Sequence, residues 1–301
     1  MGRSPKLLLT FLLSIGGAIV FTTIASRSLA QQGTSGASSN SSTLKPVSAS
    51  APDIPFNDGD FQTEQQLLAL ANESRRQAGV SPLTLDAGLS RAAREHAQAM
   101  LEEHRLSHQF QGEPALPNRL ASASLLLLDQ EGENVALDYD AQHGHQHLML
   151  SPPHRANLLN PAYNVVGLGV VRSGDRLFIV QDFGRALPSY SSSDIKDRIA
   201  AAVQQKRHQA ARADLQRLEQ QQADNAACSM AQADKLGTSP VHKMAEHSTV
   251  LTYTSLHPET LPSQAYRAVT SRNLHTFSVG TCYSRTETYP SGVYWVVLSF
   301  E

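Results

Sequence analysis

Several of the residues that make a chain easy to classify are scarce here. Of 301 residues only two are cysteine and one is tryptophan, and aromatic residues make up 6%. The two cysteines, Cys228 and Cys282, form no CxxC pair, which excludes a thiolate metal cluster or a multi-bridge scaffold. No excess of one charge exists either: 25 Lys and Arg against 27 Asp and Glu leave a net charge of -2. That balance excludes the basic surface on which nucleic-acid binding depends. After residue 25 no apolar run approaches the roughly 20 residues of a membrane-spanning helix. Large apolar side chains are almost missing from residues 31–60, which are mostly Ser, Gly, Thr, Ala, Asn and Pro. Such a segment cannot bury enough surface to order itself and reads as a flexible tether.

What is present begins with a leader. Arg3 and Lys6 precede an apolar run from Leu7 to about Ala25, and Ser28-Leu29-Ala30 ends in small residues before Gln31. Residues 1–30 fit a cleavable signal peptide. An uncleaved anchor is the competing reading, because the run is nearly long enough to span a bilayer. Ser14, Gly16, Gly17, Thr22 and Thr23 interrupt it and favour cleavage. Either way the remainder is exported, to the periplasm or outside the cell, with no membrane span after cleavage. In an oxidising compartment Cys228 and Cys282 are expected to form one disulfide rather than stay free thiols, a constraint of about 2–4 kcal/mol.

Periodicity predicts helices first. Thr63-Glu64-Gln65-Gln66 has a capping-box pattern, and Leu67, Leu68, Ala71 and Ala78 give a helical face that stops near Gly79. Asp86 can cap a second helix with Leu89, Ala92, Ala93, Ala97 and Met100 on one side. Leu116 to Leu128 and Asp140 to Leu150 read as further helices, the latter ended by Pro152-Pro153. Two strand-like runs, Val165–Val171 and Arg176–Phe183, flank the turn Ser173-Gly174-Asp175. A charged, Gln- and Ala-rich helix is expected from Asp194 to about Ala226, as a solvated connector rather than a coiled coil. Strand runs Thr249–Tyr253, Ser278–Ser284 and Tyr294–Phe300 close the chain. The hairpin at 166–183 has a faint echo at 279–300. The fold class is α+β, with a first region over 61–186, a linker and charged helix over 187–227, and a small α+β region over 228–301.

Seven of the twelve histidines lie between His96 and His154. They accompany Leu106-Ser107-His108, Gly132-Glu133-Asn134-Val135-Ala136, Ser151-Pro152-Pro153-His154-Arg155-Ala156-Asn157-Leu158-Leu159 and Gln181-Asp182-Phe183. With Asn72-Glu73-Ser74-Arg75 and Pro82-Leu83 upstream, the order and spacing resemble the CAP (SCP-domain) superfamily. That group holds cysteine-rich secretory proteins, insect venom antigens and plant pathogenesis-related proteins, and the resemblance is to its bacterial secreted branch. It covers somewhat under half the chain. It implies an α–β–α sandwich with a cleft, which many members line with two His and two Glu that in some bind zinc or another divalent cation.

His108 and Glu133 match two of those positions. The second Glu position falls on Ser151 and the second His position on Phe178, with His154 as the imidazole that bacterial members keep. Cleft residues are therefore expected at His108, Glu133, Ser151, His154 and Phe178, and a metal, if any, at His108 and Glu133 with His154 as a weak third. No cofactor is certain. His143 and His147 share a helical face, which could clamp a divalent cation but is read as an exposed polar surface. His96 is read as core, and His104 as core or cleft. Arg155 and Asn157 are expected to satisfy backbone groups near the helix end.

A reduced residue set without an evident nucleophile points to binding rather than catalysis. The favoured function is an exported, non-enzymatic binder of a lipid, peptide or cell-envelope component. The alternatives are a metal-assisted hydrolase of peptide or cell-wall bonds, and an envelope scaffold or adhesion protein.

Overall fold

In the computed structural model, residues 60–301 are described, with the backbone of one two-residue strand, β1 (Leu9–Thr10). The expected leader (1–30) and tether (31–60) lie outside the described residues apart from β1 and Asp60.

Helix α1 (Phe61–Gln77) starts at Asp60, whose carboxylate accepts the Thr63 amide at 3.0 Å. The cap is therefore Asp60, and Thr63, expected to cap, is buried in the first turn. After β2 (Thr84–Leu85), α2 (Ala87–Glu102) is capped by Asp86 as predicted. Helix α3 covers only Leu116–Ala123. Leu128, expected to end that helix, instead opens β3 (Leu128–Asp138). Then follow α4 (Ala141–Leu150), α5 (Pro152–Leu158), β4 (Val165–Ser173) and β5 (Arg176–Ala186). The strands form one sheet in the order β2-β4-β5-β3, antiparallel except for β2 with β4.

Alternation along the strands divides the side chains between two helical layers. On one face Ala93, Ala97 and Met100 of α2 meet Val135, Phe178 and Val180. On the other, Leu67 and Ala71 of α1 with Ala141, Leu148 and Leu158 of α4 and α5 meet Val166, Leu168, Ile179 and Phe183. This is the expected α–β–α sandwich. The α2 layer sits close because β4 presents Gly169, where a Cβ would stand 2.2 Å from the Ala93 carbonyl carbon. Arg75, fully buried, donates to the carbonyls of Ser81, Leu158, Asn160 and Tyr163 at 2.7–3.0 Å and ties α1 to the α5–β4 connection.

The charged helix expected over 194–226 breaks. Helix α6 covers Ser192–Gln209, the chain turns through Ala211 at φ 51°, and a short strand β6 (Gln216–Leu218) precedes α7 (Gln221–Gln232). Nor is α6 a solvated connector. Ile195, Ile199 and Val203 are fully buried against Tyr253, Val279, Val296 and Leu298. The remaining elements are α8 (His242–Ala245), β7 (Thr249–Ser255), α9 (Ala265–Val269), β8 (Thr276–Ser284) and β9 (Val293–Phe300). The second sheet runs β1-β7-β9-β8-β6. The Cys228–Cys282 disulfide is formed and ties α7 to β8.

This second unit repeats the first in reduced form. Arg207 near the end of α6 donates to Ala213, Val269 and Ser271 carbonyls as Arg75 does near the end of α1. Gln204 and Leu215 exchange two hydrogen bonds, as Asn72 and Leu83 do, eleven residues apart in both. Gly280 of β8 lies against Ala223 of α7 as Gly169 lies against Ala93. In strand register Glu133 pairs with Asp182, while the matching pair is Val250 with Ser299. The repeated frame thus lacks the acidic pair that the first unit holds.

Candidate functional site

The acidic pair of the first unit lies on the α2 face of the sheet, directly opposed across β3 and β5. Glu133 is 7% exposed and Asp182 is fully buried. Burial, reinforced by the Glu133 charge, holds the Asp182 carboxyl well above its ordinary range, which favours its neutral acid. No N–H or O–H of another residue reaches either Asp182 oxygen, and the facing Glu133 carboxylate can accept only from the protonated acid, so the neutral form is also the cheaper one to bury.

Glu133 is the hub. Its Oε1 lies 2.7 Å from Nδ1 of His108, and its Oε2 accepts Nη2 of Arg119. Arg119, on α3, also donates through Nη1 to the His108 carbonyl at 3.0 Å and stands 3.4 Å from Glu113. Glu113 accepts the Phe110 amide at 2.9 Å and lies 2.6 Å from His96 Nδ1. The other His96 nitrogen faces the Ser107 carbonyl at 2.8 Å. The loop from Ser107 to Glu113 is thereby stitched to α2, α3 and β3 around one buried carboxylate. The His108 side chain remains 63% exposed. With Nδ1 engaged by Glu133, Nε2 is the nitrogen left for an outside molecule.

The predicted residues do not all join this hub. His154 sits on α5, half-buried, and has no hydrogen bond to the hub. Burial first, and then the His108 charge, hold its imidazole below the ordinary range. Ser151 is the junction between α4 and α5 and makes no side-chain cap. Phe178 is 5% exposed and packs among Ala97, Met100 and Val135, a core residue rather than a cleft lining. Among the described residues no three His, Cys, Asp or Glu side chains converge as a metal set. A surface hollow of about 610 Å³ is lined by residues that include Asn72, Arg76, Val80 and Pro82 and by none of these side chains.

His96 is buried as expected, but inside a polar network. His104 is exposed at the end of α2 at φ 52°, neither core nor part of the hub. Asn157 donates to the Glu133 carbonyl at 3.1 Å and to the Asn134 side chain at 3.0 Å, so the backbone group it satisfies lies on β3, while Arg155 donates to the Met149 carbonyl near the end of α4 at 3.3 Å. Arg119, Glu113 and the burial of Asp182 were not anticipated. The one sequence signal for Arg119 was a lone cation inside the small apolar helix Leu116–Ala123.

Residues 68–183 match the model of the cysteine-rich secretory protein family, CAP, a match that covers under half of the chain. The chain is 30% identical over 112 residues to the uncharacterized protein YkwD of Bacillus subtilis, covering 37% of this chain and 43% of that protein. It is 32% identical over 122 residues to the uncharacterized membrane protein YlbC of the same organism, covering 40% and 34%. A solved extracellular SCP-domain protein of Bacillus anthracis is 28% identical with a TM-score of 0.39, covering 42% of this chain and 41% of that one. The chain thus spans under half the length of each. Among the described residues no helix is long and apolar enough to cross a membrane.

Proposed function

We propose that this is an exported, non-enzymatic binding protein whose His108 edge receives a lipid, peptide or cell-envelope component. The observation that carries the reading is the pairing of an exposed His108 ring with a nearly buried Glu133 that Arg119 neutralises. Such an arrangement fixes the tautomer and aim of one imidazole without mobile parts, which favours recognition of a polar group. Support for binding over hydrolysis comes from the nearby hydroxyl: Ser107 donates to the Gln109 carbonyl at 2.7 Å and is committed to the loop. The disulfide supports an oxidising location.

The test is retention of molecules from envelope and lipid extracts by the purified protein, read by mass spectrometry, with His108→Ala alongside. Retention by the wild type and its loss in His108→Ala is expected, together with no turnover of casein or peptidoglycan by either. Turnover that disappears in His108→Ala would replace binding with hydrolysis, and zinc content measured in both proteins would say whether a metal assists.

A further inference from the structure

Helix α4 carries three histidines outside the His108 hub, two of them exposed. His143 and His147 are one turn apart on the same helical face, where such pairs stand about 5–6 Å apart at Cβ. Their side chains are 58% and 61% exposed. Each is gripped at the same atom. His143 Nδ1 lies 2.8 Å from Asp140 Oδ2, while Oδ1 of that residue caps the helix by accepting the His143 amide at 2.9 Å. His147 Nδ1 lies 2.6 Å from Oδ2 of Asp138, whose side chain is only 5% exposed and whose Oδ1 accepts the Tyr139 amide. Between them, His145 turns inward and meets Ser74 at 2.8 Å, which leaves the outer face to the pair.

An exposed polar helix face has no need to orient its rings. Here two separate carboxylates engage Nδ1 of both, so in the neutral rings the hydrogen sits on Nδ1 and the lone pair on Nε2. A nearly buried Asp138 committed to an exposed ring is hard to explain as solvation, since a buried carboxylate is costly. Histidines that bind metals characteristically donate the other ring N–H to a carboxylate, which fixes the ring and raises its basicity.

We infer that His143 and His147 form a surface two-histidine site for a divalent transition cation, separate from His108. Two Nε2 atoms supply two coordination positions, and water or another molecule's donor completes the set, as in sites that keep positions open. Imidazole donors select copper, nickel and zinc over magnesium and calcium, and affinity should peak at Cu²⁺.

Calorimetric titration of the full chain with NiCl₂, and copper EPR, test this. The wild type should bind one Ni²⁺ at a site that His143→Ala and His147→Ala each remove. His108→Ala should leave that site intact, so failure of the binding reading proposed for His108 and failure of this site are separable. Asp140→Asn keeps a capping residue but withdraws the charge behind His143, and should weaken Ni²⁺ binding by about 10- to 100-fold. Because His143 and His147 are exposed, their alanine variants should fold, and circular dichroism checks this. A wild type that binds no Ni²⁺, or a His143→Ala/His147→Ala double variant that binds it as the wild type does, would overturn the assignment.

Discussion

His145 shows how a single ring can set the pH dependence of the fold. It is 6% exposed, its Nε2 meets Ser74, and its Nδ1 has no partner. Burial holds its imidazole below the ordinary range. The unfolded chain therefore takes up the proton first, and the neutral ring's contribution is lost as pH falls below about 6.5. Urea denaturation should show stability decreasing from about pH 7.5 to about pH 5.5, with a shallower decrease in His145→Gln, whose amide can still reach Ser74. Equal slopes in the two proteins would refute this. The site is partly legible at this scale. His108 and Glu133 stand in motifs whose spacing marks them. Their neutralising partner Arg119 stands in no motif, because only folding brings α3 beside β3, where its guanidinium meets Glu133. His143 and His147 are visible as an i,i+4 pair, yet the carboxylates that aim them lie before the helix, at its cap and on the preceding strand.

Strands and helices were legible where periodicity is strong. The face of α2, the hairpin β4–β5 and the strands β7, β8 and β9 fall where hydrophobic alternation puts them. Strand β3 carries Glu133 but follows its opening Leu128 with Asp129-Gln130-Glu131 and sits at the sheet edge, so its first half lacks the apolar alternation that signals a strand. The charge and Gln content of the segment after Asp194 mask two helices that each bury one face. The close approach of helix to strand gives a test at this scale. Gly169 leaves no room for a Cβ beside Ala93, and Gly280 none beside Ala223, with backbone as the obstruction in both. Gly169→Ala and Gly280→Ala should each destabilise their unit by about 1–3 kcal/mol or more, because neither helix can shift without unseating its core. Wild-type midpoints in guanidinium for both variants would show that the layers are looser than this packing requires.

The two units meet through few but specific contacts, and these reach toward the His108 edge. Leu127, in the segment between α3 and β3, is buried in the core of the second unit with Ile195 and Tyr253. Arg285, just past β8, donates to the carbonyls of Ala121, Ser124 and Leu126 at 2.6, 2.7 and 3.3 Å. Those carbonyls belong to the last turn of α3 and the chain beyond it, the helix that holds Arg119 against Glu133. The second unit therefore clamps the far end of the element that neutralises the hub. Its own frame has Val250 and Ser299 where the acidic pair would be. Arg285→Ala strips the charged donor from three carbonyls and should cost about 1–3 kcal/mol, lost first where the units join. Trp295, the single tryptophan, is 1% exposed in the second unit, so its fluorescence reports that unit while far-ultraviolet circular dichroism reports both. In the wild type the two signals should unfold together. In Arg285→Ala they should separate, because α3 and β3 no longer answer to the second core. Coincident curves at the wild-type midpoint in that variant would mean that the other contacts, Leu127 and the His257–Asp129 pair among them, join the units, and that Arg285 gives the second unit no hold on the His108 hub through α3.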